Sequence, residues 1–198
     1  MTFFPLPRSF YSGCDALQLA PLLLGKIIYI PSRGITARIV EVEAYMGHDD
    51  KACHASEGRC TPRTEVMFSE GGVYYVYLIY GMYHCLNVVS GEKDSGEAVL
   101  IRSVEIIDGR DKASMLRYGK DFLSLTCSQK KNLSNGPGKM CQALGIDRSL
   151  NGKKCYEGEI IICDAPQVND RFIKTSPRIG VDYAGSDAML PYRFYVEE

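Results

Sequence analysis

The sequence predicts an α+β fold: a single domain of mixed α/β character around an antiparallel or mixed β-sheet. Predicted strands outnumber predicted helices, and few long helices separate one strand from the next. Two pairs of strands are joined by short segments that contain glycine, as in β-hairpins. The 198 residues suit one domain, which we expect to span residues 1–198.

The first predicted elements are a helix and a pair of strands. A helix is expected over residues 14–25, because Asp15 can cap its start, several leucines follow, and Gly25 ends it. Residues 26–31 and 35–44 form two runs rich in isoleucine and valine, and a short Ser-Arg-Gly segment joins them. This part of the chain is therefore expected to pair as adjacent strands.

The rest of the chain continues the strand-rich pattern. A second hairpin is expected from residues 73–79 and 84–89, with its turn at residues 80–83. The other predicted elements are strands at 97–104, 159–163, 178–181 and 192–196 and helices at 111–118 and 138–144. Two loops rich in glycine and charge, at 47–70 and 120–134, are long enough that we expect them to carry function.

Several functional classes are excluded by the absence of their motifs. No window approaches the roughly 18 uncharged apolar residues of a membrane helix, and no signal peptide is recognisable. The eight cysteines form no Cys-x-x-Cys pair and are expected to be reduced thiols in a cytosolic compartment. A Ser-His-Asp set, a His-Glu-x-x-His zinc motif and a Walker A loop are missing too, so neither metal nor cofactor is expected.

The charge of the chain is small but unevenly distributed. The formal net charge of −1 excludes a strongly cationic coat. Residues 102–154, however, contain 11 Lys and Arg against 5 Asp and Glu, a local excess of +6. A local basic surface therefore leaves a polyanionic partner such as nucleic acid possible, with few phosphate contacts.

Two carboxylates end the strand that begins at Ile35. Ile35, Ala37 and Ile39 share one face by the period of two, and Glu41 and Glu43 continue the same face. We expect this face to run from the core to a cavity or to the surface. Two interpretations remain open: a solvated strand end with ion pairs, or a carboxylate held partly away from water as a general base.

Aromatic residues follow these carboxylates. Tyr45 and His54 could line one pocket with Glu43, and two flat rings beside a carboxylate suit a planar heterocycle, although each residue by itself is more often structural than functional. Tyr80 adjoins Gly81 at the hairpin turn, where a large ring is expected to be exposed. Exposed aromatic side chains of this kind suit insertion into a partner, as in proteins that enter the DNA minor groove.

A glycine turn opens the helix predicted at residues 138–144. The segment reads Asn135-Gly136-Pro137-Gly138-Lys139. Its exposed N–H groups and Lys139 suit a phosphate, while an ordinary capped helix explains the pattern equally well.

Taken together, these residues resemble the alkyladenine (3-methyladenine) DNA glycosylase family. The resemblance rests on collinear blocks that cover almost the whole chain, of which the tyrosine-rich block and the Glu-Ala-Tyr segment are the most specific. The blocks are Val42-Glu43-Ala44-Tyr45, His54, Thr61-Pro62-Arg63, Met67-Phe68, Val76-Tyr77-Leu78-Ile79-Tyr80-Gly81-Met82-Tyr83, Asn87, Arg102, Asn135-Gly136-Pro137 with Lys139, Gln142-Ala143-Leu144, Arg178-Ile179-Gly180-Val181 and Arg193-Phe194-Tyr195-Val196. The resemblance implies a domain with a protruding β-hairpin that inserts into DNA.

The resemblance also implies a role for each matching residue. Glu43 would be the general base that activates the attacking water. The implied base pocket consists of Tyr45, His54, Tyr77, Asn87 and Arg102. Tyr45 and His54 would stack on or hydrogen-bond the extruded base, with Tyr77 on its other face, Asn87 at the pocket floor as a discriminator, and Arg102 holding the pocket or a phosphate.

Other matching residues would contact the duplex itself. Tyr80 would fill the gap that the flipped base leaves, and Met67 would be a second wedge. The implied contacts to the DNA backbone are Arg63, Tyr83, Gly138 and Lys139.

The function that the resemblance implies is base excision repair. The enzyme would flip alkylated or deaminated purines out of damaged double-stranded DNA and hydrolyse the N-glycosidic bond, without lyase activity, as a monomer in the cytoplasm or nucleoid (the nucleus in a eukaryote). Two alternatives remain: a nucleoside hydrolase acting on small molecules, and a non-catalytic module that binds DNA lesions. The resemblance leaves open whether 3-methyladenine, 7-methylguanine, hypoxanthine or ethenoadenine is released.

Overall fold

Residues 3–197 are described by the computed structural model. The strands are β1 (Ile27–Ile30), β2 (Ile35–Tyr45), β3 (Tyr74–Ile79), β4 (Tyr83–Val89), β5 (Ala98–Asp108), β6 (Ile161–Cys163), β7 (Ile173–Ser176) and β8 (Arg193–Val196). The α-helices are α1 (Ser9–Ser12), α2 (Ala16–Leu23), α3 (Arg110–Tyr118), α4 (Cys127–Lys131) and α5 (Pro137–Leu144). Mixed helices around one curled sheet confirm the predicted α+β fold.

All strand pairings are antiparallel, and β2 lies at the centre of the sheet. The strand order is β3-β4-β5-β2-β1-β6, and β8 pairs with both β2 and β7. On the side away from β5, the first half of β2 pairs with β1 and its second half pairs with β8. The second half of β2 is therefore bonded on both sides, which holds its side chains in fixed positions.

The main core packs helices against one face of this sheet. Helix α2 packs on β2, and α5 packs on β4 and β5. The start of α2 is closed by a capping box, in which Asp15 accepts from the backbone of Gln18 and the Gln18 side chain accepts from the Asp15 N–H. Leu19, Leu23 and Leu24 are fully buried there, so the leucine-rich segment forms the helix that its sequence predicts.

The predicted continuity of the carboxylate face in β2 is wrong. Ile39 pairs with Val104, but Glu41 pairs with Ser103 and Val42 with Ile101, so the register shifts on both sides of Glu41. The first shift leaves Val40 as an extra residue of β2, which turns every later side chain of β2 to the other face, and the second leaves Arg102 as an extra residue of β5.

The burial pattern records this change of phase. Ile35, Ala37 and Ile39 lie in the core before the bulge, whereas Val42 and Ala44 lie there after it. The side chains of Glu41 and Glu43 consequently lie on the face of β2 opposite to Ile39. On that face a cavity forms.

Two other predictions differ from the structure. Residues 178–181 are not a strand, and the N–H of Ile179 donates to a side chain instead of a neighbouring strand. Strand β7, on the other hand, was not predicted from the sequence. Within the two predicted loops, α4 and several short 3₁₀ turns are present.

The described residues also show the state of the thiols and the length of the helices. All eight cysteines, which lie within residues 3–197, carry free thiols. No helix within these residues is long and apolar enough to cross a membrane.

Candidate active-site pocket

A cavity of about 490 Å³ opens between the hairpin β3–β4, the start of α5 and residues 179–183. Its volume lies in the range of small-molecule and cofactor sites, roughly 300–1,000 Å³. Most predicted site residues line it, namely Tyr45, His54, Arg63, Met67, Tyr77, Tyr80, Tyr83, Asn87, Arg102, Gly138 and Lys139. Within residues 3–197, no group of three or more His, Cys, Asp or Glu side chains could hold a metal ion.

The carboxylate of Glu43 lies directly behind the lining of this cavity and is fully buried. Its Oε2 accepts a hydrogen bond from the Tyr45 hydroxyl at 3.0 Å and from Arg102 Nη1 at 3.1 Å. Its Oε1 accepts from the N–H of Ile179 at 2.8 Å. All three donors belong to residues that line the cavity, and each favours the negatively charged carboxylate.

Two of these donors are themselves held in place. Arg102 also donates from Nε to Glu41 Oε1 at 3.0 Å, and Arg193 donates to the same oxygen at 2.6 Å. Burial, together with the charge of Glu43, raises the pKa of Tyr45 well above its usual value, so the Tyr45 hydroxyl stays protonated and donates.

A second buried ion pair supports Tyr45 from the protein side. Arg178 and Asp50, whose side chains are 0% and 2% exposed, make two hydrogen bonds at 2.5 and 2.8 Å. The guanidinium carbon of Arg178 lies 4.8 Å from the centroid of the Tyr45 ring and 5.1 Å from that of Tyr192. Because Ile179 directly follows Arg178, the same ion pair anchors the N–H that Glu43 accepts.

His54, Tyr75 and Tyr77 form the aromatic part of the cavity wall. His54 Nδ1 lies 3.0 Å from the Tyr75 hydroxyl, and the His54 and Tyr77 rings meet edge to face at 4.7 Å between centroids. Burial, reinforced by the charge of Arg63, lowers the pKa of His54 to about 4. His54 is therefore a neutral ring at neutral pH.

Arg63, expected to contact the DNA backbone, lines the cavity. Its guanidinium carbon is 5.0 Å from the centroid of the Tyr77 ring. Its charge also opposes the effect of burial on Tyr75, which raises the pKa of that phenol to about 12. The guanidinium thus contacts the aromatic wall that the sequence assigns to a base.

Asn87 lies at the buried side of the cavity, on β4. It is 3% exposed, and its Nδ2 donates to the carbonyl oxygen of Tyr75 at 3.0 Å. This bond fixes the orientation of the amide, as a group that discriminates between bases would require.

The hairpin turn presents apolar side chains to solvent beside the cavity. Tyr80 is 86% exposed, and Met82 is 64% exposed. Tyr80 has a φ of 51°, and the following Gly81 has a φ of 68°. A left-handed backbone is uncommon for a bulky residue, so a tyrosine at this position carries conformational strain that glycine or asparagine would avoid.

Met67 is placed differently from the wedge that the sequence implies. It is 2% exposed and packs in a small cluster with Cys53, Ala55 and Tyr75. A buried side chain cannot enter a partner without local unfolding, so Met67 forms part of the cavity wall. The exposed methionine next to the hairpin tip is Met82, which sequence reasoning overlooked.

The first turn of α5 packs tightly against the hairpin. A Cβ atom on Gly138 would lie 2.8 Å from Cβ of Tyr83, so only glycine permits this contact. Lys139 Nζ donates to Asn132 Oδ1 at 2.5 Å, which fixes the lysine near the cavity mouth. Gly138, Lys139 and Tyr83 thus form one continuous surface beside the cavity.

Sequence reasoning assigned no role to several residues that build this site. Asp50 and Arg178 lie 128 residues apart and form the pair behind Tyr45. Tyr183 lines the cavity mouth, and its hydroxyl donates to the carbonyl oxygen of Ala52 at 3.1 Å. Arg178 belongs to one of the sequence blocks that carry the resemblance, and this membership could have identified it as a site residue.

Comparison with known proteins shows the family of the chain. Residues 9–198 match the family described as methylpurine-DNA glycosylase (MPG). A Clostridium botulinum protein named "Putative 3-methyladenine DNA glycosylase" is 48% identical over 98% of this chain and 96% of its own length. Proteins with the same name from Methanocella arvoryzae and Bacillus cereus are 47% and 46% identical, each over 96% of this chain and over 91% and 95% of their own lengths.

Proposed function

The chain belongs to the methylpurine-DNA glycosylase family, and from this premise we propose that it releases alkylated or deaminated purines from damaged duplex DNA. The reaction hydrolyses the N-glycosidic bond and leaves a free base and an abasic site. We propose 3-methyladenine as the first lesion to test, because the relatives carry it in their names. The enzyme works without cofactor as a monomer in the cytoplasm or nucleoid.

The observation that carries the proposal is the buried carboxylate of Glu43 behind an aromatic cavity. A carboxylate has about four lone-pair directions, and three are used by Tyr45, Arg102 and Ile179. One direction remains for a single water. The hydrogen bonds of the carboxylate offset the cost of burying the charge, and the cleft beside it is lined with tyrosines that suit a planar base.

The chemical step follows from this position. The bond between the sugar carbon C1′ and the base nitrogen breaks, and its electron pair leaves with the base. The sugar passes through an oxocarbenium-like transition state, as in O-glycoside hydrolysis. Glu43 accepts a proton from the water whose oxygen bonds to C1′, and its negative charge stabilises the sugar cation. Because no lysine is assigned as a nucleophile, we propose that the DNA strand is not nicked.

Binding of the base depends on the aromatic wall. Tyr45, His54 and Tyr77 would contact the flipped purine, and stacking of one base on an aromatic side chain contributes roughly 1–3 kcal/mol. This offsets unstacking from the duplex, which costs a few kcal/mol and least for damaged bases. The His54 ring is neutral at neutral pH, so it adds no charge to the aromatic wall.

Contacts with the duplex are assigned to the exposed turn and the start of α5. Tyr80 would fill the gap in the stack, and Met82 beside it takes the second wedge role that buried Met67 cannot fill. Lys139 and the N–H groups near Gly138 would bind phosphates. A nucleoside hydrolase has no need for either contact, which favours DNA over a free nucleoside as the substrate.

The assay that tests this function measures free base. Duplex DNA treated with a methylating agent, and the corresponding free nucleosides, are incubated with the protein, and released bases are separated by chromatography. We expect release from duplex DNA only. Release from nucleosides alone would establish the hydrolase alternative, and tight binding of lesions without release would establish the binding module.

The variant Glu43→Gln tests the role of the carboxylate. It keeps the size of the side chain but cannot accept a proton, so base release should fall by about 10²–10⁴-fold or more, while binding to damaged duplex survives. Glu41→Gln is the matched control, because Glu41 bonds to the same arginine without contacting Tyr45 or Ile179. Near-normal release by Glu43→Gln would refute the assignment.

A further inference from the structure

Among the arginines around the cavity, one has no carboxylate partner. Arg102, Arg178 and Arg193 each contact a carboxylate, and the carboxylates are Glu41, Glu43 and Asp50. Four arginines thus face three acids when Arg63 is included. Among residues 3–197, Arg63 has no carboxylate within salt-bridge distance. The aromatic wall therefore has a surplus positive charge, and its source is Arg63. The other lining cation without a carboxylate partner, Lys139, lies at the cavity mouth and donates to Asn132.

This surplus charge lies on the ring that the proposed function assigns to the base. Arg63 is exposed, lines the cavity, and has its guanidinium carbon 5.0 Å from the Tyr77 ring centroid. A guanidinium is planar, delocalised and cationic, and its contact with an aromatic face is a cation–π interaction. An alkylated purine is likewise planar, delocalised and cationic. Arg63 thus occupies a position for which such a base competes.

We propose that Arg63 is a specificity-determining residue that biases this pocket toward neutral lesions and against cationic ones. The inference rests on the proposed function and deepens it, since it names the charge class of base that the pocket prefers. A cationic base must either expel Arg63 from Tyr77 or bind beside a like charge. A neutral base such as hypoxanthine can stack next to the guanidinium without this repulsion.

The second tyrosine of the pocket strengthens the bias. Tyr45 already contacts the Arg178 guanidinium at 4.8 Å, so part of its attraction for cations is engaged. Arg178 is neutralised by Asp50, however, and cannot account for a net repulsion. Of the two guanidinium groups in contact with these rings, Arg63 is the uncompensated one, so its removal should change selectivity.

The expected size is moderate, because Arg63 is exposed and water weakens the repulsion between its charge and that of a cationic base. Arg63→Gln should raise the ratio of cationic to neutral lesion excision about tenfold, which corresponds to about 1.4 kcal/mol. Arg63→Lys keeps the charge and should change the ratio less.

The experiment compares two duplexes of identical sequence. One carries a single 7-methylguanine, which is cationic, and the other a single hypoxanthine, which is neutral. Single-turnover rates of base release are measured for the unchanged protein, Arg63→Gln, Arg63→Lys and the control Arg59→Gln. Arg59 is an exposed arginine of the same loop that does not line the cavity, so its substitution removes the same charge elsewhere.

A higher cationic-to-neutral ratio for Arg63→Gln, but not for Arg59→Gln, supports the proposal. An equal loss on both duplexes identifies Arg63 as a phosphate contact and overturns it, as does a selective loss of 7-methylguanine release. Failure of the proposed function is recognised separately, because the unchanged protein would then release neither base. In that case NMR measures the equilibrium binding of N7-methylguanosine, at a pH where it is cationic, and of inosine. The ratio of the two affinities then decides the selectivity in both variants. An unchanged binding ratio in Arg63→Gln would again overturn it.

Discussion

The buried wall of the pocket and the hairpin turn at its mouth are built in opposite ways. In the wall, Glu43, Asp50 and Arg178 are almost inaccessible to solvent, and several donors or acceptors bind each of them. At the turn, Tyr80 and Met82 are mostly exposed, and Tyr80 has a left-handed backbone. Several hydrogen bonds and an ion pair therefore hold each of these wall side chains in one conformation. The exposed turn keeps a strained backbone without such support.

This difference separates the two tasks that the proposed function requires. Proton transfer needs groups fixed to within fractions of an ångström, which buried side chains held by several hydrogen bonds provide. Entry into a base stack needs an exposed ring, and backbone strain at such a residue is a sign that selection favours the ring over stability. Substitutions in the wall should therefore reduce stability, and substitutions at the turn should raise it while reducing binding.

The largest expected effect on stability is that of Asp50→Asn in the wall. It leaves the buried guanidinium of Arg178 without an anion, which should lower the free energy of unfolding by about 3–5 kcal/mol. Urea unfolding measures the loss. The double variant Asp50→Asn with Arg178→Met removes both charges and should recover part of it. Glu157→Gln, which breaks an exposed pair with Lys154, is the control and should leave stability unchanged. An unchanged free energy of unfolding for Asp50→Asn would contradict the contrast between the buried wall and the exposed turn.

A smaller effect of opposite sign is expected for Tyr80→Asn at the turn. Asparagine accepts a left-handed backbone, so the variant should be more stable by about 1 kcal/mol. Loss of the ring should nevertheless weaken binding to a damaged duplex about tenfold, which corresponds to one aromatic stacking contact. Thermal unfolding and fluorescence anisotropy measure the two changes.

Tyr183→Asn is the control for strain at the turn. Tyr183 is also an exposed tyrosine at the cavity, but its φ is not positive, so its replacement should not stabilise the protein. Equal stabilisation by both variants would attribute the gain to loss of an exposed ring instead of relief of strain.

The last effect, confined to acidic pH, is a pH dependence that tests to which region His54 belongs. Its pKa is lowered from 6.5 to about 4 by burial and by Arg63. The unfolded chain therefore binds this proton at higher pH than the folded one does. Stability should be unaffected by His54 above about pH 6.5 and should decrease as the pH falls from 6.5 toward 4.

His54→Gln should reduce this dependence between about pH 6.5 and pH 5, where carboxylates contribute least. NMR titration of the imidazole checks the pKa directly. An ordinary value near 6.5 would place His54 with the exposed mouth and not with the wall.

Much of this molecule could be predicted from local sequence. The capped helix α2, the strand pair β1–β2 and the hairpin with Tyr80 at its turn follow from capping residues, alternation and glycine placement, because these signals act between neighbours in the chain. The resemblance carried by the tyrosine-rich block and the Glu-Ala-Tyr segment likewise identified the family before any geometry was known.

The placement of the catalytic candidate was decided by tertiary structure. The extra residue of β2 between Ile39 and Glu41 moves Glu43 to the face opposite to Ile39, which a strict period of two cannot reveal. Residues 178–181, predicted as a strand, instead bring the Ile179 N–H to the Glu43 carboxylate.

The contact between Arg63 and the Tyr77 ring was equally invisible in the sequence. The resemblance implied only that Arg63 contacts the DNA backbone. The physical reason is common to these cases. Bulges, buried ion pairs and cation–π contacts join residues that are distant in the chain, and their stability depends on burial that arises only when the strands and loops pack together.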